Sequence, residues 1–571
     1  MSRPAVGVAG LPAVYRDDPR LDALIGPGGP FEVETVVVDG VPLRDFVRAP
    51  RTVIDVFALG AAHGPLVNVV YRDERLTFAE VRRRSLSLAR ELRATLGVGP
   101  GDRVAIAMRN LPEFVMSLWG AALAGAVIVP LNSWWTGGEL RYALDHAGAS
   151  VLFADGERIG RLDDGGRPAG LRVVGVRSEG GDLPFDELAA GPPLDTDDLA
   201  RPGPDDPVTL LYTSGTTGHP KGALNTNRAT LTSMWNMAFA TAREAIIAGR
   251  PPAAPRQGAS LSSGPLFHIG GVASIIGSQL GGTKLVLLHR WDVEEALGLA
   301  RDEQVTSLGG VPAVARQILE HPGVAGLGLD IRTMPMGGAP VPPDLPGKAI
   351  EVFGPGVQIL NGYGLTETTS AVVTNVGVEF AAHPDSVGLP NLTTDLQVVG
   401  VDGEPLGPGG VGELRFRSPQ VVAGYWNDDA ATGASFRDGW FHSGDIGFVD
   451  DGGWVHVVDR MKDVVIRGGE NVYCVEVEAV LHEHPAVAEV AVVGMEERAL
   501  GERVCAAVVP RAGSSVDLAA LRAFARTRLA AFKCPEALYL TDELPRTATG
   551  KVAKNTIRQQ VAGASVLERC W

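Results

Sequence analysis

Thr213-Ser-Gly-Thr-Thr-Gly-His-Pro-Lys221-Gly222 follows the short apolar run Val208-Thr-Leu-Leu-Tyr212. The run reads as a buried strand that empties into hydroxyls and glycines closed by one lysine. Such a stretch suits phosphate. Gly215 and Gly218 let backbone N–H groups turn toward an anion, the hydroxyls of Thr213, Ser214, Thr216 and Thr217 add donors, and Lys221 supplies a point charge. Pro220 before the lysine and Gly222 after it depart from the Walker pattern, so this is a phosphate loop of another kind. Taken alone, the same letters fit a Ser/Thr/Gly-rich surface loop equally well.

Working outward, Val104-Ala-Ile-Ala-Met108, Leu111 to Ala124 and Val127-Ile-Val-Pro130 read as strand, helix, strand. Asn110 is the expected cap of that helix and Gly125 its stop. Glu139 to Ala147 and then Val151-Leu-Phe-Ala154 repeat the unit. Val293 to Arg301, Val305-Thr-Ser-Leu308 and Ala313 to Glu320 alternate again. Repeated alternation of this kind predicts parallel sheets covered by helices. From Val398 to Phe416 the pattern turns to short strands with Asp-Gly and Gly-Pro-Gly-Gly turns, a small β-rich module. After Asp459 a compact α+β unit is expected, with strands near Val487 to Val493 and Arg503 to Val509, a helix near Leu518 to Leu529 and a strand at Ala537 to Leu540.

Composition bounds the possibilities. A chain of 571 residues exceeds what one hydrophobic core organises. The net charge of -16 argues against nonspecific nucleic-acid binding and does not attract an anionic membrane. Cys474, Cys505, Cys534 and Cys570 lie far apart without C-x-x-C spacing, which fits reduced thiols in a cytoplasmic protein and no metal cluster. Met1 to Pro19 lacks the pattern of a signal peptide, and the most apolar window, Ile269 to Leu288, is broken by Gln279, Lys284 and glycines. Arg greatly outnumbers Lys, so the surviving lysines draw notice; Lys221, Lys462 and Lys551 all fall inside distinctive motifs.

Four further segments arrive in order: Asn361-Gly-Tyr-Gly-Leu-Thr-Glu-Thr368, Gly439-Trp-Phe-His-Ser-Gly-Asp445, Asp459-Arg-Met-Lys-Asp463 running to Gly468-Gly-Glu-Asn471, and Pro545-Arg-Thr-Ala-Thr-Gly-Lys551. With the phosphate loop, the series resembles the adenylate-forming superfamily of acyl-CoA synthetases, firefly-type luciferases and peptide-synthetase adenylation domains, most of all its fatty-acyl-CoA ligases. The likeness runs from about residue 50 to 560. It implies an α/β protein with a large N-terminal domain of parallel α/β sheets, a small β-barrel-like module and a small mobile α+β C-terminal domain. The expected division is a 1–50 extension, a 51–459 AMP-binding domain and a 460–571 lid, with a hinge near Lys462.

The resemblance also implies roles. ATP, Mg2+ and CoA are the expected cofactors, and a small carboxylic acid is the substrate. Lys551 would contact the carboxylate and α-phosphate, Thr366 the α-phosphate, Glu367 the magnesium, and His268 the neighbourhood of the acyl carboxylate. Asp445 and Arg460 would bind the ribose hydroxyls. Gly468, Gly469 and Glu470 would turn toward the site for thioester formation. Adenine needs a flat slot with backbone polar contacts, which Gly338, Ala339, Pro340, Asn361, Gly362 and Gly364 supply as thin walls, with Tyr363 stacking on the base. Thr226-Asn227 stands where relatives often carry Thr-His, and a packing rather than a chemical consequence is expected. The predicted reaction joins an acid to AMP and then to CoA, with a fatty acid first and aryl acids close behind. A carrier protein or an amine is the alternative acceptor, a turnover-free nucleotide-binding protein the rival of another class, and a second copy of the chain a further candidate partner. No nucleic acid and no membrane span are expected.

Overall fold

The alternating apolar runs build a seven-stranded sheet. Its order is Lys221–Thr226, Pro207–Thr213, Val127–Pro130, Arg103–Ala107, Ala149–Asp155, Arg172–Val176, Leu183–Pro184. Neighbours are parallel except Lys221–Thr226, which runs antiparallel to Pro207–Thr213. The computed structural model describes residues 12–213, 220–250, 256–342, 344–546, 552–563 and 567–568.

The helix Pro112–Ala124 is buried along its whole length, and Gly125 ends it in the left-handed region at φ 89°. Asn110 is not its cap. Pro112, with its fixed φ and no N–H, takes the first helical position, so the cap falls on Leu111. The Asn110 side chain is thereby free to grip another segment: it donates to the Gly264 carbonyl at 3.0 Å and accepts from the Leu266 N–H at 2.9 Å.

A second layer joins Ala259–Ser262, Lys284–Leu287, Val67–Tyr71 and Glu74–Thr77, and a third set orders Thr333–Gly337, Gln358–Leu365, Ser370–Val376 and Leu389–Pro390. The expected strand Val305 to Leu308 is reduced to isolated bridges at Ser307, which link Ser260 to Thr333. The cause is local: the Thr306 hydroxyl accepts the Ala259 N–H at 3.0 Å, replacing a ladder bond with a side-chain one.

Residues 12–50 pack onto this part of the chain. The Tyr15 hydroxyl donates to the Pro390 carbonyl at 2.6 Å, and its ring meets Phe239 edge-on at 5.3 Å. The hairpin Val33–Val38 with Val41–Phe46 adds buried ion pairs, Arg44 to Asp395 at 2.8 Å and Asp45 to Arg228 at 2.5 Å.

Contacts divide the chain into one unit of Met1–Leu396 with Phe416–Phe441 and a second of Gln397–Arg415 with His442–Trp571. Position 459/460, where the sequence reading ends the large domain, thus falls inside the second unit. The β-rich module comprises Asp395–Val399, Gly412–Arg417, Phe436–Arg437, Trp440–Val449 and Val455–Arg460, and the division runs through three of these strands.

In the second unit Gly501–Pro510 runs antiparallel to Val487–Glu497 and parallel to Ala537–Leu540. Helices Cys474–His482 and Leu518–Arg526 cover one face over Val472, Val492 and Val504, the second helix burying Leu521 there. Helix Lys554–Gly563 covers Ala491, Val493 and Cys505 with Ile557 and Val561. Among the described residues no helix is long and apolar enough to cross a membrane.

Candidate active site

Thr213 and Lys221 are register partners at the open end of their strand pair. Ser214, Gly215, Thr216, Thr217 and Gly218, which join them, lie outside the described residues. Lys221 is thus the first residue of a strand, with its ammonium 5.0 Å from the centre of the Tyr425 ring. Asn227, which follows that strand and opens helix Asn227–Ile247, is buried. It accepts from the Val53 N–H at 2.9 Å and donates to the Asp206 carbonyl at 3.1 Å, which bears out the packing role.

Tyr425 connects the lysine to the Thr-Glu motif. Its hydroxyl donates to Glu367 Oε1 at 2.8 Å, and the Val422 N–H donates to the Glu367 carbonyl at 2.9 Å. Burial pushes the Tyr425 phenol pKa well up and the Glu367 charge pushes it further, so the group stays protonated and keeps donating. Thr366–Thr368 forms one 3-10 turn that presents Thr366 and Glu367 side by side.

The two stretches expected to wall the adenine slot are adjacent: Gly337 at the end of one strand is the register partner of Gly362 on the next. Gly338 turns away at φ 78°, leaving Ala339 and Pro340 exposed beyond the strand. Asn361 is buried, and the Tyr363 ring leans on Phe416 at 5.9 Å. Gly364 has a steric reason to be glycine, because a Cβ there would stand 2.0 Å from the Ser370 carbonyl oxygen.

His268 takes the N-cap position of helix Ile269–Gly281, half-buried, with its ring 4.3 Å from that of Phe267. The loop before it is the one Asn110 holds. Phe267, itself buried, in turn meets the exposed Trp134 edge-on at 5.5 Å.

The second unit carries its own set. Asp445 and Arg460 are register partners joined at 3.2 Å, the carboxylate buried and the guanidinium half-exposed. Gly468 and Gly469 have φ 59° and 88° and form the two-residue turn between Val465–Arg467 and Glu470–Val472. Positive φ at both positions is what a tight hairpin of this kind requires. Glu470 is exposed beside them. Lys551 lies outside the described residues.

Among the described residues no three His, Cys, Asp or Glu side chains gather as a metal cage. Magnesium does not need one: it keeps several waters and takes one or two carboxylates plus substrate phosphates. Glu367, a single half-buried carboxylate beside the Thr366 hydroxyl, fits that requirement. Sequence reasoning missed Tyr425 and gave Asn110 only as a helix cap. The one signal for Tyr425 is the aromatic pair Tyr425-Trp426 after Gly424.

The model of the AMP-binding enzyme family matches residues 59–426, and that of the AMP-binding enzyme C-terminal domain matches residues 476–551. The chain is similar to a feruloyl-CoA synthase of Amycolatopsis sp., 39% identical over 490 residues, covering 85% of this chain and 94% of that protein. It is 32% identical over 501 residues to a long-chain-fatty-acid–CoA ligase of Mycobacterium tuberculosis, covering 86% and 93%. Among solved structures, the o-succinylbenzoate CoA synthetase of Bacillus subtilis in complex with ATP and magnesium superposes with a TM-score of 0.75 at 30% identity, covering 89% and 99%.

Proposed function

The chain belongs to the AMP-binding enzyme family, and on that footing we propose that it is an AMP-forming acid–thiol ligase. A carboxylate oxygen attacks the α-phosphorus of ATP, the bond to the β-phosphate oxygen breaks, and pyrophosphate leaves. The sulfur of CoA then attacks the acyl carbonyl, AMP departs with the mixed-anhydride oxygen, and the thiol proton is released.

The observation that carries this reading is the chain of contacts from Lys221 through Tyr425 to Glu367. It holds a cation and a carboxylate on one rigid frame. Two anions must meet in the first step, so donors and charges fixed beforehand provide most of the acceleration. Lys221 and the Thr213 to Gly218 hydroxyls and N–H groups hold the outer phosphates, and Thr366 donates to the α-phosphate. Gly338 to Pro340 and Asn361 to Gly364 flank adenine, and Asp445 with Arg460 holds the ribose diol. His268 stands at the acyl carboxylate, and Lys551 neutralises charge where the new bond forms. Magnesium, held through Glu367, supplies further charge neutralisation when bound. Gly468, Gly469 and Glu470 serve the thioester step.

For the acid we place aromatic carboxylates ahead of fatty acids, reversing the order the sequence suggested. The 39% identity to a feruloyl-CoA synthase supports this, as does the Phe267–Trp134 pair beside His268. The long-chain ligase at 32% identity supports the second reading. Cys474, Cys505 and Cys534 are buried thiols outside any disulfide, which suits a reducing compartment, and we assign the enzyme to the cytoplasm.

The test is pyrophosphate release across aryl, arylalkenoic and fatty acids, with and without CoA, products identified by mass. An aryl-CoA is expected. Fatty acyl-CoA alone overturns the substrate reading. An adenylate that accumulates while CoA is ignored moves the acceptor to a carrier protein or an amine.

A further inference from the structure

The turn that carries Thr366 and Glu367 is followed by two consecutive side-chain-bearing residues in the left-handed region, Thr369 at φ 48° and Ser370 at φ 84°. Such residues persist only where the surroundings over-determine them. Here the surroundings are a wholly buried polar network. The Thr369 hydroxyl donates to Asn225 Oδ1 at 2.7 Å, and Asn225, fully buried, sits four residues after Lys221 on the same strand. Gln420, also fully buried, donates through Nε2 to the carbonyls of Thr368 and Ala371, both at 2.9 Å. Those two carbonyls bracket the strained pair. The Gln420 Oε1 in turn accepts from Asn236 at 2.8 Å and from Asn391 at 3.3 Å, so its amide cannot rotate without breaking several bonds.

A buried network of amides on a strained turn is a poor way to gain stability, since apolar side chains of the same volume would do as well or better. It is a good way to fix geometry. Asn225 ties the turn to the strand that begins with Lys221, and the segment containing Gln420 also supplies Val422 and Tyr425, which hold Glu367 by backbone and side chain. We propose that Asn225 and Gln420 are positioning residues for adenylate formation: they lock Thr366 and Glu367 at a set distance from the phosphate-loop strand. The inference rests on the reading of Lys221, Thr366 and Glu367 as ATP and magnesium ligands.

The full-length enzyme carrying Thr369→Val, Thr369→Ser or Asn225→Leu is assayed for adenylate formation, for the magnesium concentration giving half its maximal rate, and for thioester formation from a supplied acyl-adenylate. Thr369→Val removes only the donor and keeps the shape of the side chain. The expected result is a fall in adenylation of about tenfold to a hundredfold with a several-fold higher magnesium requirement, as a displacement of catalytic groups by a fraction of an ångström to an ångström would give. Thr369→Ser should restore both. Thioester formation should stay within about twofold, and Asn225→Leu should add little to Thr369→Val, because both break the Thr369–Asn225 bond and the other bond lost with Asn225, its 3.3 Å donation to the Ala223 carbonyl, lies within its own strand. A folded Thr369→Val enzyme with an unchanged magnesium requirement overturns the proposal. So does a Thr369→Val protein that fails to fold, which would make the network a structural one. If the unaltered enzyme cleaves ATP with no acid of the panel, the ligase reading falls first and takes this inference with it.

Discussion

Tyr425 shows how a single side chain can matter without belonging to any motif. It touches Lys221 with its ring and Glu367 with its hydroxyl, and 58 residues separate it from the carboxylate it serves. Tyr425→Phe keeps the ring under the ammonium and deletes the donation. The expected effect is a roughly tenfold slower adenylation, the scale of one hydrogen bond to a charged group. ATP–pyrophosphate exchange reads it directly, and an unchanged rate would show that Glu367 is held by its backbone alone. Lys221, Thr366 and Glu367 were singled out in the sequence because the phosphate and magnesium roles proposed for them go with short, recognisable runs. Tyr425, Asn225 and Gln420 were not, because a phenol or an amide takes its meaning from what folding brings beside it. Asn225 finds Thr369 across 144 residues. Asn110 was misread for a simpler reason: Pro112 already settled where the helix begins.

The elements themselves were read well where one periodicity ruled. Pro207–Thr213, Arg103–Ala107 and Val127–Pro130 are within a residue of the expected runs. Val305 to Leu308 failed as a strand because a threonine hydroxyl captured the partner that a ladder needs. The short helix Ala13–Arg16 could not be given a role from its letters, yet Tyr15 pins it against Phe239 and Pro390. Burial pushes the Tyr15 phenol pKa up from 10.0 to about 12, against the lowering pull of Arg243. The sign follows from linkage. The folded state holds the proton more tightly, so as pH rises above 10 the unfolded chain ionises first and stability falls until the folded phenol also titrates near 12. A rise from 10.0 to about 12 corresponds to roughly 2–3 kcal/mol. Urea unfolding at about pH 9 and about pH 11 should therefore show a smaller alkaline loss in Tyr15→Phe than in the unaltered protein. Equal losses would place Tyr15 in contact with solvent.

At the scale of the whole molecule, the second unit has its own core and holds the residues assigned to the ribose, the hinge and the thioester step. Inside it, the helix that starts three residues after Lys551 is tied to the segment around Lys462. Arg558 pairs with Asp463 at 2.6 Å, and Lys554 pairs with Glu478 at 2.7 Å. If Lys551 serves only the first step, Lys551→Ala should cut adenylate formation by roughly two to three orders of magnitude, as losing a fixed charge-stabilising donor does. It should spare thioester formation from supplied adenylate, and equal loss of both half-reactions would refute a division of labour. The sequence reading began the second domain after Asp459, whereas the second unit takes in Gln397–Arg415 and everything from His442. It could not announce that residues 12–50 are part of the first, since their partners lie hundreds of positions away, as with Arg44 and Asp395.

The left-handed pair at Thr369 and Ser370 has a consequence for anyone breeding this enzyme for heat. Ser370→Gly removes a conformational cost of about 1 kcal/mol or more and returns roughly half to one of it through a looser unfolded chain. Melting temperature should hold or rise slightly while turnover declines. A screen that rewards survival after heating would therefore collect slow variants at this turn, and only a screen scored on product formed would keep the serine.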